Sequence, residues 1–491
     1  MNKYFLIFLF VLSCLSHLLF FPRPAEVVFD ELYFGIYASD YISGKYYFDP
    51  HPPLGKLLIA ATGGLSGVTN DSTSYAAIGD KYQTDIYIWY RLLPLIAGIL
   101  LPLVVYWLCR RLRLSALAAF SAGLLVILEN SLLVQSRFIF LDSMLLLSGF
   151  TALAAYLTFR ARRRSALNDN SGKRYFWWLV ASSLAGALSF DIKWTGLAFS
   201  LIITLIEIWD VFQAPRRIQA LKRSAGVLGT MIFVGLFVYL LTFAVHFALL
   251  PRSGQGNAFM STSFQKTLVD SSYHNDTTLR TPDFLDKFVE LNMEMYGVNA
   301  HMDATHQYSS KWYTWPFMMR PIFYWQETAA STSTATTSLA SSTTTVSTTV
   351  SPENSYIYLF GNPFTYWLGI LVMVVLIVDC LWLLTRAFLS RNRKILKPVP
   401  IFIVIGFLAN FLPFIFIGRV MFLYHYQAAL VFTIIGIAYT LDQLKGRLKY
   451  ILISATLLLA LAAFIYWSPL TYGLPMTANQ MAARMWFPSW R

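Results

Sequence analysis

The feature that most constrains this chain is a succession of long apolar runs separated by basic clusters. Runs approaching the roughly 20 residues a membrane-spanning helix needs lie at about 4–21, 88–109, 114–129, 138–159, 175–190, 194–210, 226–250, 364–388, 398–417, 420–440 and 449–467. Backbone inside lipid must satisfy its own hydrogen bonds, so such runs are expected to be helices. With 56% of the 491 residues hydrophobic and 13% charged, the expected class is an all-α polytopic membrane protein with about eleven spans. The basic residues set its orientation. Lys3, the runs 110–113 and 160–164, Lys173-Arg174, Arg216-Arg217, Lys222-Arg223, Arg391, Arg393, Lys394, Lys445, Arg447 and Lys449 all fall on one side of an eleven-span chain. That is the positive-inside pattern for a cytoplasmic N-terminus. The net charge of +13 then reflects orientation and contact with anionic headgroups. No soluble domain carries the basic, aromatic-interleaved face that nucleic-acid binding requires, so no nucleic-acid partner is expected.

The first run resembles a signal peptide, with Lys3 ahead of an apolar stretch, but no small-x-small site follows. It is expected to be a retained anchor. Cys14, Cys109 and Cys380 are scattered through the spans, which predicts neither a disulfide nor a metal site.

Two segments lie outside the membrane in this topology. The first external loop, 22–87, carries the adjacent carboxylates Asp30 and Glu31. Within it Glu31–Ser43 is expected to form a surface helix, and the short apolar stretch 57–65 to lie in the interface. The second segment, 251–363, holds Trp312, Tyr313, Trp315, Phe323, Tyr324 and Trp325. Most of these are expected to form an aromatic belt at the membrane surface. Residues 328–351 are low in complexity, 17 of 24 being Ser or Thr, and are expected to be a disordered outer linker. The chain thus divides into an N-terminal catalytic module (1–250), an extracytoplasmic region (251–363) and a C-terminal four-helix module (364–491).

Ionisable residues at the outer ends of spans are costly and therefore informative. Arg91, Glu129, Arg137, Asp142, Asp191, Lys193, His246, Arg419 and His425 are such residues. Most map to the outer half and would converge with Asp30 and Glu31 on an outward-facing cavity. Arg137, Lys193 and Arg419 would make a cationic pocket suited to a phosphate. The competing reading is that Arg137–Asp142 and Asp191–Lys193 merely pair or snorkel. Carboxylates above a cationic pocket at a membrane surface suit sugar transfer from a lipid phosphate. The cations stabilise charge growing on the leaving phosphate, and a carboxylate removes the proton of the attacking hydroxyl.

Several blocks resemble one family. Phe29-Asp30-Glu31, with Tyr47-Phe48-Asp49-Pro50-His51-Pro52-Pro53-Leu54-Gly55-Lys56, resembles the first external loop of protein O-mannosyltransferases. Ser136-Arg137 through Asp142-Ser143, Lys193-Trp194-Thr195-Gly196, and His246-Phe247 with Arg252-Ser253-Gly254-Gln255-Gly256 resemble later blocks. Trp312-Tyr313-Thr314-Trp315-Pro316, Gly361-Asn362-Pro363 and the stretch 419–426 extend the likeness in family order across most of the chain. The resemblance implies a GT-C glycosyltransferase fold and inverting transfer of mannose from a polyprenyl-phosphate donor to Ser or Thr hydroxyls of an acceptor protein. It implies Asp30 as base, with Glu31 orienting the acceptor or pairing with Arg91, and Asp49 and His51 in a polar cluster beside them. Arg91, Arg137, Asp142, Lys193, Arg419 and His425 complete the expected substrate-binding set. The chain has no room between the fourth block and the later spans for the β-trefoil domain of eukaryotic members, and so resembles the compact bacterial type.

Asp30, Glu31, Asp49 and His51 could hold a hard cation, but the resemblance requires none and no cofactor is expected. One rival is a GT-C enzyme moving another sugar, such as aminoarabinose or arabinose, to a lipid or polysaccharide. The other is a transporter or lipid flippase, which explains buried charges but not motifs gathered on one outer face. The expected setting is the cell membrane, with the catalytic site extracytoplasmic.

Overall fold

The computed structural model describes residues 3–166, 175–301, 305–327 and 353–491. The Ser/Thr-rich linker expected at 328–351 lies outside the described residues. Each of the eleven apolar runs coincides with a helix. In chain order the helices are α1 (Lys3–Leu18), α2 (Glu31–Ser43), α3 (Leu54–Gly64), α4 (Ile86–Arg111), α5 (Ala116–Ile127), α6 (Asn130–Ser136), α7 (Asp142–Ala166), α8 (Phe176–Ile192) and α9 (Leu197–Gln213). Then follow α10 (Arg217–Leu249), α11 (Thr262–Lys266), α12 (Phe284–His301), α13 (Pro363–Leu389), α14 (Pro398–Ala409), α15 (Gln427–Asp442), α16 (Gly446–Tyr472) and α17 (Ala478–Arg484). Among the described residues, seven helical segments are long and apolar enough to cross a membrane, or eight if α5 and α6 form one span bent by 61°. The expected count of eleven is not reached by length alone, since α1, α8 and α15 have only 16, 17 and 16 residues. The chain is a multi-pass membrane protein.

Helix α7 packs most extensively on α8 and α4. The α8 face toward α7 is built of small residues. Ser182 and Ser189 donate from Oγ to the carbonyls of Ala152 (2.8 Å) and Leu145 (3.1 Å), so the two backbones approach closely, as membrane helices do without a hydrophobic drive between them. At the α5–α6 bend, Glu129 caps α6. Its Oε1 accepts from Ser131 N–H, Ser131 Oγ and the N–H of Asn362. That satisfies backbone donors at two helix starts inside an apolar layer.

One departure from an all-helical chain is a small sheet of order β1-β2-β3, made of β1 (Ile322–Gln326), β2 (Asn354–Leu359) and β3 (Pro475–Met476). The β1–β2 pairing is antiparallel and slips between Phe323 and Trp325, leaving Tyr324 as a bulge. The aromatics of this region also differ from a surface belt. Trp315, Tyr324 and Trp325 are buried, because the sheet and the turn Trp312–Phe317 pack into the core and enclose them.

Candidate active site

The acidic pair sits where the first loop turns into α2. Phe29 adopts φ 44, a left-handed conformation that costs a residue with a β-carbon roughly 1–2 kcal/mol. It is held there by its N–H donating to the carbonyl of Tyr324 (3.2 Å) and by its ring stacking on Tyr324 at 4.5 Å. The two carboxylates that follow have opposite fates.

Glu31 is fully buried and saturated. It accepts from Val28 N–H (2.9 Å), Tyr82 OH (3.0 Å), Ile139 N–H (2.9 Å), and Arg91 Nε (2.7 Å) and Nη2 (2.6 Å). The remaining Arg91 donors go to the carbonyls of Pro22, Pro24 and Glu26. Of the two roles expected of Glu31 the pairing with Arg91 is the one that forms, and the acceptor-orienting role of Glu31 and the substrate-binding role of Arg91 are corrected. Glu31 has no lone pair free for an acceptor hydroxyl, and Arg91 is spent on the loop backbone rather than on a substrate. Together they form a buried, hydrogen-bonded ion pair that ties the loop to α4 and to the strip before α7. Arg137 departs from expectation too. It donates to the carbonyls of His17 (3.3 Å) and Leu19 (2.5 Å) and lies over the ring of Tyr472 at 4.8 Å, fastening the end of α1 instead of joining a cationic pocket.

Asp30, by contrast, has no side-chain hydrogen bond or ion-pair partner among the described residues. Loss of solvent around its carboxyl pushes its pKa up to about 7; the charges of Asp142 and Asp49 push the same way and Lys193 opposes them.

Five expected residues do come together. His51, Asp142, Lys193, Arg419 and His425 line one cavity of about 1360 Å³. Lys193 is placed by a sharp stop. It is extended at the end of α8 (φ −149°, ψ 141°) and leads into the turn Trp194–Gly196. A β-carbon on Gly196 would lie 2.3 Å from the Ser189 backbone, so only glycine lets this turn close. Lys193 Nζ donates to Asp142 Oδ1 at 2.8 Å and lies over the Tyr424 ring at 5.3 Å. Neither of the pairings weighed from the sequence forms, since Asp191 instead accepts from Thr242 Oγ1 at 2.5 Å. Arg419 has no hydrogen-bond or ion-pair partner among the described residues, so its guanidinium is a free cation at the cavity. Burial, reinforced by Lys193 and Arg419, holds His51 well below the usual imidazole range, and therefore neutral.

Leu197, Leu201, Ile232, Leu236 and Phe416 both line the cavity and are exposed on the outer surface of their helices. The cavity therefore opens through the apolar surface, beside a polar head. Asp49 does not line it. It pairs with Lys56, which also donates to the His51 carbonyl at 2.7 Å, and Asn299 Nδ2 holds the Pro50 carbonyl at 2.7 Å. Lys56 stands within a motif that suggests no role for it, Tyr324 reads as one of the belt aromatics, and Gln135 and Tyr82 carry no sequence signal.

The Arg252-Ser253-Gly254-Gln255-Gly256 block backs this loop. Tyr46 N–H donates to the Arg252 carbonyl at 2.8 Å, and Gly256 N–H to the Tyr46 carbonyl at 3.1 Å. A β-carbon on Gly256 would meet the Tyr47 carbonyl carbon at 2.4 Å. Gly256→Val is therefore expected to destabilise the protein by about 1–3 kcal/mol through overpacking, read as a lower thermal unfolding midpoint in detergent.

The family model described as "Dolichyl-phosphate-mannose-protein mannosyltransferase" matches residues 7–251. That described as "C-terminal four TMM region of protein-O-mannosyltransferase" matches 284–490. The chain belongs to the protein O-mannosyltransferase family. Among similar family members, protein O-mannosyltransferase 1 of Drosophila pseudoobscura pseudoobscura is 36% identical over 269 residues, covering 53% of this chain and 28% of that protein. Dolichyl-phosphate-mannose–protein mannosyltransferase 4 of Saccharomyces cerevisiae is 31% identical over 271 residues, covering 54% of this chain and 35% of that protein. The matches thus span about a third of the length of these relatives. The S. cerevisiae protein O-mannosyltransferase Pmt1-Pmt2 complex bound to the sugar donor superposes with a TM-score of 0.83 at 19% identity, covering 100% of this chain and 92% of that one. The fold is thus the GT-C architecture this family shares.

Proposed function

We propose that this family member transfers mannose, with inversion, from a polyprenyl-phosphate-mannose donor to Ser or Thr hydroxyls of proteins on the extracytoplasmic side of the cell membrane, its N-terminus being cytoplasmic. The observation that carries the reading is one unpaired carboxylate, Asp30, within electrostatic reach of a cation-bearing cavity that opens through an apolar surface. The lipid tail would lie along the apolar wall and the phosphate at Lys193 and Arg419. Both halves of the chain would contribute, since Lys193 ends α8 and Arg419 lies in the connection between α14 and α15. As the acceptor oxygen bonds to the anomeric carbon, its proton passes to Asp30 and the bond from that carbon to the phosphate oxygen breaks. The electron pair leaves with the phosphate, whose growing charge the two cations stabilise. Glu31 and Asp49 are engaged with Arg91 and Lys56, so the reading assigns the charge stabilisation to side-chain cations and needs no resident metal.

The test is mass spectrometry of a short Thr peptide incubated with the purified protein and polyprenyl-phosphate-mannose. A hexose adduct on the Thr hydroxyl is expected. No adduct with mannose, together with transfer of aminoarabinose or arabinose to a lipid, would overturn the assignment. The reading also fixes a pH dependence. A base must be unprotonated to act, so kcat/KM should rise with pH through about 7, the value burial gives Asp30. A profile flat between pH 6 and 8 on the order of the assay error would remove Asp30 from that role.

A further inference from the structure

The bulge in β1 does more than interrupt a ladder. Bulges re-aim side chains, and here the extra residue is Tyr324, with its neighbours Phe323 and Trp325 paired to Tyr358 and Ile357. The re-aimed Tyr324 is fully buried, and its hydroxyl donates to Gln135 Oε1 at 2.6 Å. The Gln135 amide, on α6, then presents its Nε2 to Asp142 Oδ2 at 2.8 Å, while Asp142 Oδ1 receives Lys193 Nζ. The four groups form one directed chain. A side-chain amide can turn over and exchange its oxygen for its nitrogen. With its oxygen tied to a hydroxyl that can donate, the amide offers only its donor face to the carboxylate. Turned over, it would set a carbonyl oxygen against a carboxylate oxygen inside the protein, where unmet polar groups are costly.

We propose that Tyr324 and Gln135 are positioning residues that lock Asp142, and through it fix the Lys193 ammonium at the head of the cavity. The inference rests on the reading above, in that the cavity head is taken to receive a lipid phosphate. It adds that the sheet, whose Tyr324 also supports Phe29 beside Asp30, reaches the cation of the cavity through one amide. Neither residue touches the reacting atoms.

The test compares binding of farnesyl phosphate with binding of farnesol to the full-length protein in detergent. The two probes share a tail and differ in the phosphate. In the wild type the phosphate should bind more tightly. In Gln135→Met and in Tyr324→Phe that preference should fall, by about tenfold for the first and several-fold for the second, with farnesol binding unchanged. Loss of packing alone would move both probes together. Because Tyr324 acts through Gln135, the double variant should be no worse than Gln135→Met alone. A preference unchanged in both variants, or a double variant equal to the sum of the singles, overturns the inference while leaving the proposed activity standing. A wild type without any preference for the phosphate overturns the reading of the cavity and the inference with it.

Discussion

Replacing Asp30 by asparagine is expected to abolish sugar transfer in a protein that still folds and still binds donor. Asparagine keeps the shape of the side chain and removes only its capacity to take a proton. A positioned general base contributes roughly 10²–10⁴-fold to rate, so kcat should fall by that factor with the donor KM nearly unchanged. Stability should not fall with it. Burial raises the folded-state pKa of Asp30 to about 7 from an ordinary value of 3.8. The ionised form is therefore the disfavoured one, and its cost is absent below the unfolded value and fully present above pH 7. Asparagine never carries that charge, so Asp30→Asn should unfold at the same or a higher temperature than the wild type at pH 8. Activity comparable to the wild type would sink the assignment of the base. Loss of activity accompanied by a lower unfolding temperature would show a structural role instead.

The adjacent residue should behave in the opposite way. Glu31→Gln leaves the Arg91 guanidinium buried without its counter-charge. Breaking a buried pair from one side costs about 3–5 kcal/mol, a large fraction of a typical protein's stability. The thermal midpoint of Glu31→Gln should drop well below that of Asp30→Asn, though the two changes are neighbours in sequence and each removes one negative charge. Adding Arg91→Met should recover part of the loss, because an apolar replacement of both partners removes the uncompensated charge. If Glu31→Gln melts with the wild type yet transfers no sugar, the carboxylate takes part in the chemistry directly.

That contrast marks what the sequence could and could not reveal. Charges in or at the ends of apolar runs are rare enough to stand out, which makes Asp142, Lys193, Arg419 and His425 visible as candidates, while Asp30 and His51 show through their motifs. Their destinations were harder to read. A guanidinium in a span must find acceptors, but Arg91 and Arg137 find theirs in backbone carbonyls, at Pro22, Pro24, Glu26, His17 and Leu19. Carbonyls have no letter in the sequence, so Arg137 reads as part of a phosphate pocket and Arg91 as a substrate-binding residue. Glu31 and Asp30 are indistinguishable as an adjacent pair. Only the donors contributed by Val28, Tyr82, Arg91 and Ile139 separate them, and three of the four lie 51 residues or more along the chain.

The three-stranded sheet is hidden in the sequence for a different reason. Ile322–Gln326 is a short aromatic stretch beside a membrane, and aromatic residues there usually form a surface belt. Its pairing with Asn354–Leu359 bridges a long Ser/Thr-rich run, and the bulge puts Tyr324 and Trp325 both inside, which hides the period-two alternation of a strand. Gln135 is an uncharged residue on a seven-residue helix, and its part in the site lies wholly in its two hydrogen bonds.

The lateral mouth of the cavity, framed by exposed Leu201, Ile232 and Phe416, bears on how any assay of this protein must be expressed. A ligand entering there comes from the hydrocarbon phase, so the concentration that matters is its mole fraction among lipid or detergent molecules, not its molarity in the tube. Adding detergent at constant donor would then dilute the substrate on a two-dimensional surface. An apparent KM should climb in proportion to the detergent added, while a water-soluble peptide acceptor should show no such drift.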